Sequence, residues 1–136
     1  NFSSFGMGGV SHPSQLYALK LFDKHRIELS RNAIPKFYDL QRNRYHKAFL
    51  DLGLELFSGE GGFYHWCKLP GTLNAAELNK QLFKQGAAIL KGTDCDMYRL
   101  ESNSHLNQFF RFSFGPLMPE SFNSDIEILS KALSFD

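Results

Sequence analysis

The sequence has only two cysteines, Cys67 and Cys95, and neither belongs to a C-x-x-C pair or stands at ligand spacing from a histidine. That excludes a disulfide framework and leaves two free thiols, as expected of a reducing compartment. A cytoplasmic location is therefore the expectation. No apolar run approaches the ~20 residues of a membrane span, and no basic-then-apolar start resembles a signal peptide. No membrane partner is expected. The five histidines, at 12, 25, 46, 65 and 105, never fall three or four apart on one helix, so no metal site is expected. A net charge of +1 argues against a chain built to coat nucleic acid. The initiator methionine is also lacking. The opening Asn1-Phe2-Ser3-Ser4-Phe5-Gly6-Met7 reads like an excerpt from a longer protein.

What is present is enough for one domain: 136 residues, 43% hydrophobic and 15% aromatic, which supports a real core. The small net charge conceals an asymmetry. Residues 1–50 carry eight Lys/Arg and three Asp/Glu, and residues 51–136 carry seven and eleven. Two differently charged faces of one globule account for it.

Along the chain, Ser11-His12-Pro13 after the Gly6, Gly8, Gly9 loop predicts a helix running to about Lys24. A second helix is predicted from a cap at Ser30 or Asn32, with Pro35 in its first turn. Ile34, Phe37, Tyr38, Gln41, Tyr45, Ala48, Phe49 and Leu52 then form one largely apolar stripe. Arg42, Arg44, His46 and Lys47 fall mostly off that stripe, as a solvated face does. Gly53 ends this longest element. Leu54–Phe57 and Phe63–Leu69 read as short strands joined by a glycine-rich turn. That turn lacks the Walker spacing, so a tight connection is preferred to a phosphate loop. Asn74-Ala75-Ala76-Glu77 resembles a capping box opening a helix with Leu78, Leu82 and Phe83 inward. A strand at Ala87–Leu90, a polar loop from Gly92 to about Gln108 and a strand around Arg111 follow. Pro119 starts the last helix, with Phe122, Ile126, Leu129 and Leu133 inward.

Most polar clusters have ordinary explanations. Asp94-Cys95-Asp96 lacks the remaining spacing of a calcium or zinc loop. His65 and Cys67 lie on one strand without the arrangement of a thiol protease, and core packing suffices for Cys67. Lys20 and Lys91 carry no local signal of a Schiff-base amine.

Arg111 is different. It stands within Phe109-Phe110-Arg111-Phe112-Ser113-Phe114-Gly115, a run apolar enough to be a buried or half-buried strand. A guanidinium is always charged, and withdrawing it from water without an acceptor costs several kcal/mol. Something anionic must meet it, either a carboxylate of the chain or one of a ligand.

Taken in order, Gly61-Gly62-Phe63-Tyr64-His65-Trp66-Cys67-Lys68-Leu69-Pro70, a helix, Gly86-Ala87-Ala88-Ile89-Leu90-Lys91-Gly92, Phe110-Arg111-Phe112-Ser113-Phe114 and a final helix resemble the C-terminal part of class I and II aminotransferases. These are fold type I enzymes dependent on pyridoxal phosphate. Gly8-Gly9-Val10-Ser11-His12-Pro13-Ser14-Gln15 and Phe49-Leu50-Asp51-Leu52-Gly53 are similar to what precedes the small domain in that family. The resemblance covers essentially the whole chain.

It implies an α+β small domain: a small, mostly antiparallel sheet covered by helices, with a long interdomain helix. Residues 1–30 would be an interdomain segment with the first helix, and 31–136 the small domain. The resemblance also implies that Arg111 binds the substrate α-carboxylate by a two-pronged pair. Gly62 and Gly92 would lie near the cleft, shaping backbone before contacting ligand. The Schiff-base lysine, the phosphate-gripping serine and basic residues, and the aspartate facing the pyridine nitrogen would all precede Asn1. No catalytic residue is therefore expected in this chain, and pyridoxal phosphate is not expected to bind it alone. The partners implied are an amino acid and a 2-oxo acid, an N-terminal large domain and, in the parent, a second subunit. Thr93-Asp94-Cys95-Asp96-Met97 departs from the family's small-plus-aromatic run and leaves side-chain preference open. The alternatives are a stand-alone small-carboxylate-binding or regulatory domain without catalysis, and an interaction module in which Arg111 pairs with a protein carboxylate.

Overall fold

The computed structural model describes residues 11–98 and 104–134. The Gly6, Gly8, Gly9 loop and part of the polar loop before Gln108 lie outside them. The chain divides into two compact units, residues 1–37 and 38–136.

In the first unit, α1 spans His12–Leu21, with Pro13 in its first turn where its missing N–H is not needed. It stops three residues short of Lys24, because Phe22 leaves helical geometry. No residue of α1 is buried. The long helix α2 spans Lys24–Asp51, so it starts well before Ser30 or Asn32. Asp23 explains the difference: its Oδ1 accepts the Arg26 N–H at 2.9 Å, and its carbonyl accepts that of Ile27 at 3.1 Å. A cap of this kind satisfies the free N–H groups of a first turn. Pro35 thus sits inside the helix and removes one backbone bond rather than opening the helix. Asn32 turns its amide onto the Glu28 carbonyl at 2.8 Å.

From Tyr38 onward the apolar stripe of α2 does what its spacing predicts. Gln41, Tyr45 and Phe49 are buried, while Tyr38 and Leu52 pack at the margin. The residues that follow build a four-stranded sheet from β1 (Glu55–Leu56), β2 (Tyr64–Lys68), β3 (Leu90–Lys91) and β4 (Phe109–Ser113), in the order β1-β2-β4-β3. Every pairing is antiparallel. The predicted strand at Ala87–Leu90 is shifted to Leu90–Lys91. Before that point the Ile89 N–H bonds the Asn79 side chain at 3.0 Å instead of a neighbouring strand.

Helix α3 (Ala75–Phe83) opens on Asn74, whose Oδ1 accepts the Glu77 N–H at 2.9 Å. Its Leu78 and Leu82 are buried as expected, but Phe83, one residue further round the helix, is exposed. Helix α4 (Phe122–Leu133) follows a short 3-10 turn at Pro119–Ser121. The core gathers Tyr45 and Phe49 of α2, Leu78 and Leu82 of α3, Leu129 and Ala132 of α4, and Cys67 and Phe110 of the central strands. Helices therefore cover one face of an antiparallel sheet, an α+β architecture.

Candidate functional site

The pairing register decides which side chains meet Arg111. Trp66 of β2 and Leu90 of β3 lie directly opposite it, so all three share one face, and Tyr64 is the diagonal neighbour on that face. Cys67 and Phe110, also paired with each other, occupy the opposite, helix-covered face. Arg111 therefore rises from the centre of the sheet on the side away from the core. Phe57, Trp66 and Phe109 extend that side as an aromatic row, with ring centroids 5.7 and 5.8 Å apart.

Arg111 is half-buried, and its Nε is buried without a hydrogen-bond partner. Among the described residues no carboxylate pairs with it. Its guanidinium carbon lies 4.9 Å from the centroid of the Tyr64 ring. Arg111 also lines a pocket of about 490 Å³ at the β3–β4 edge, with walls that include Ile89, Leu117, Ile128 and Asp125. Among the described residues Asp125 is the only acidic wall residue, and its Oδ2 already accepts from the Tyr45 hydroxyl at 2.6 Å and the Ser121 hydroxyl at 2.7 Å. Burial and that carboxylate together push the Tyr45 phenol well above its usual range.

Two glycines frame the strands that carry the site. Gly62 takes φ +88° in the turn before β2, a conformation that side chains rarely adopt. Gly92 begins a short 3-10 turn and is buried, and a Cβ there would stand 2.7 Å from the Phe109 carbonyl oxygen. It lets the chain pass close to the start of β4, two residues before Arg111. Neither glycine is a wall of the pocket.

The other titratable groups named from the sequence are packed, ion-paired or exposed. His65 is fully buried, and Cys67 is buried with its thiol pushed up by the apolar surroundings. Lys91 pairs with Asp94 at 3.2 Å, and Lys20 is exposed. Among the described residues no cluster of His, Cys, Asp and Glu could hold a metal ion. No described helix is long and apolar enough to cross a membrane.

Sequence reading found Arg111 but not Tyr64, Trp66 and Leu90 around it. Tyr64 and Trp66 stand two apart, the period that places both on one face. Only the register says which face.

The fold and site define an α+β module that offers one uncompensated guanidinium on the open side of a small sheet. Neither a family model nor a curated relative matches the sequence. Solved structures match the fold. Kynurenine aminotransferase of Pyrococcus horikoshii, in complex with PMP, aligns with a TM-score of 0.72 at 21% identity, over 88% of this chain and 29% of that one. The α-aminoadipate aminotransferase of Thermus thermophilus gives 0.68 at 20% identity, over 87% and 29%. The aromatic aminotransferase of C. albicans gives 0.68 at 16%, over 97% and 32%. The chain thus has the fold of an aminotransferase segment and spans about 30% of the length of the enzymes it matches.

Proposed function

We propose that this chain is the C-terminal small domain of a pyridoxal-phosphate-dependent aminotransferase, in which Arg111 holds the α-carboxylate of an amino acid or 2-oxo acid. The observation that carries the reading is the state of the guanidinium: charged, half-withdrawn from water and matched by no acid among the described residues. An Arg left so is costly unless an anion completes it. The planar fork suits the two oxygens of one carboxylate. The aminotransferase fold around it supports a substrate as the source of that carboxylate.

The cofactor would supply the electron sink for transamination. The residues present do not fit it alone, since none of the chain's lysines is buried and a Schiff-base amine is activated by burial or a neighbouring cation. On this reading the cofactor and its lysine belong to the rest of a longer enzyme, and the parent pairs with a second subunit. Within this chain the work is binding and orientation, which places a reacting carbon for chemistry done elsewhere.

The test is Arg111→Lys in the longer enzyme that carries this segment. A single-point ammonium in place of the fork should raise the KM for the amino acid by roughly 10- to 100-fold, with cofactor loading intact by absorbance. Equal loss of cofactor loading and folding would make Arg111 a structural cation and end the reading.

A further inference from the structure

We infer that Tyr64 is a positioning residue that fixes the plane of the Arg111 guanidinium and so sets the approach of the carboxylate; this rests on the carboxylate reading above. Among the described residues no acid pairs with Arg111, and the Tyr64 ring lies within cation–π range of it. The guanidinium carbon stands 4.9 Å from the ring centroid, and Nε, the inner nitrogen, has no acceptor. A cation within about 6 Å of an aromatic face is drawn to the ring's negative quadrupole. A guanidinium donates only in its own plane. Contact with the ring therefore restricts one face and leaves the two outer nitrogens to meet a bidentate partner edge-on.

The backbone beneath this contact is firmly placed. The Phe63 carbonyl accepts the N–H groups of both Phe114 (2.9 Å) and Gly115 (3.1 Å), which pins the start of β2 to the end of β4. Tyr64 pairs with Ser113 and Arg111 with Trp66, so the ring and the cation sit two rungs apart on the same face of one ladder. Tyr64 is also poorly suited to a packing role, being 51% exposed. A large ring kept at the surface, against a half-buried cation that no acid meets among the described residues, is explained by what it does for that cation.

The inference predicts a pattern among variants of the longer enzyme, assayed with one amino acid substrate. Tyr64→Ile puts in a β-branched residue that suits a strand and removes the quadrupole, and should raise KM about fivefold, the equivalent of about 1 kcal/mol, with kcat within twofold. Tyr64→Phe keeps the ring and should restore the wild-type KM. Tyr64→Leu, a second ring-less variant, should repeat the Ile result, so that one poorly folding protein does not decide the matter. A wild-type KM in both ring-less variants, while Arg111→Lys still raises it, would overturn the role of Tyr64 and leave the carboxylate clamp standing. An equal loss in Tyr64→Phe would assign the effect to the phenol hydroxyl and also overturn it. If Arg111→Lys itself left KM unchanged, the clamp would fall first and the positioning role with it.

Discussion

His65 occupies the core with both ring nitrogens engaged. Nε2 lies 3.1 Å from the Arg42 carbonyl and Nδ1 lies 2.7 Å from the Ser58 hydroxyl. A carbonyl only accepts, so Nε2 carries the proton and Nδ1 accepts from Ser58. The neutral imidazole thereby ties β2 to the interior of α2 and to the glycine-rich turn. Burial lowers its pKa to about 4, assisted by the nearby His46 and Arg42 and opposed by the bond to the Arg42 carbonyl. Between pH 6.5 and 4 the unfolded chain binds a proton here that the folded chain refuses. Stability from this group is present above pH 6.5 and lost as pH falls, about 3 kcal/mol by pH 4. Denaturant titrations of wild type and His65→Gln at pH 7, 5.5 and 4.5 should show the variant less stable at pH 7 but with a shallower acid decline. Parallel curves would mean that His65 does not titrate in this way. In the sequence His65 is an ordinary strand histidine. Arg111 was legible because a permanent charge in an aromatic run needs a partner, whereas a neutral imidazole can be satisfied anywhere that offers one donor and one acceptor.

At the scale of elements, signals that act within a few residues were readable and those that act across the fold were not. Asn74 caps α3 as its spacing indicates, because the acceptor and the Glu77 N–H are only three residues apart. The start of α2 was misplaced because Ser30, Asn32 and Pro35 make a plausible helix opening by themselves, and Asp23 makes an earlier one. The β3 shift has a long-range cause, since Asn79 of α3 takes the N–H that an earlier strand would have used. Gly92 belongs to this scale as well. Its place against Leu106 and Phe109 sets where β4 begins, and a methyl group there would meet backbone oxygens that cannot rotate aside. Gly92→Ala should therefore cost about 1–3 kcal/mol of stability, read from the denaturant midpoint, through displacement of the segment leading to Arg111. A variant as stable as wild type would mean that the close approach is not required.

For the whole molecule, the order of elements was legible because helical and strand periods alternate clearly through residues 38–134. Sidedness was only half legible. Alternation separates Cys67 and Phe110 from Trp66 and Arg111, but aromatic residues lie on both faces of this sheet. Hydrophobicity alone could not say which face the helices cover. The outcome puts the core on one side and Arg111, Tyr64 and the Phe57–Trp66–Phe109 row on the other. On the proposed reading, a chain arranged in this way orients an anion and leaves the chemistry to the rest of the longer enzyme. Keeping a lysine amine neutral and nucleophilic at ordinary pH takes burial or a close cation, and every lysine here lies at or near the surface. Lys91, one of the less exposed, is engaged with Asp94, and Lys68 pairs with Glu55 at 3.1 Å. Mixed with pyridoxal phosphate and reduced with borohydride, the 136-residue chain should give only sparse labelling scattered over several lysines by peptide mass mapping. A one-to-one adduct on a single lysine would place the cofactor's anchor inside this segment and overturn the proposed division of labour.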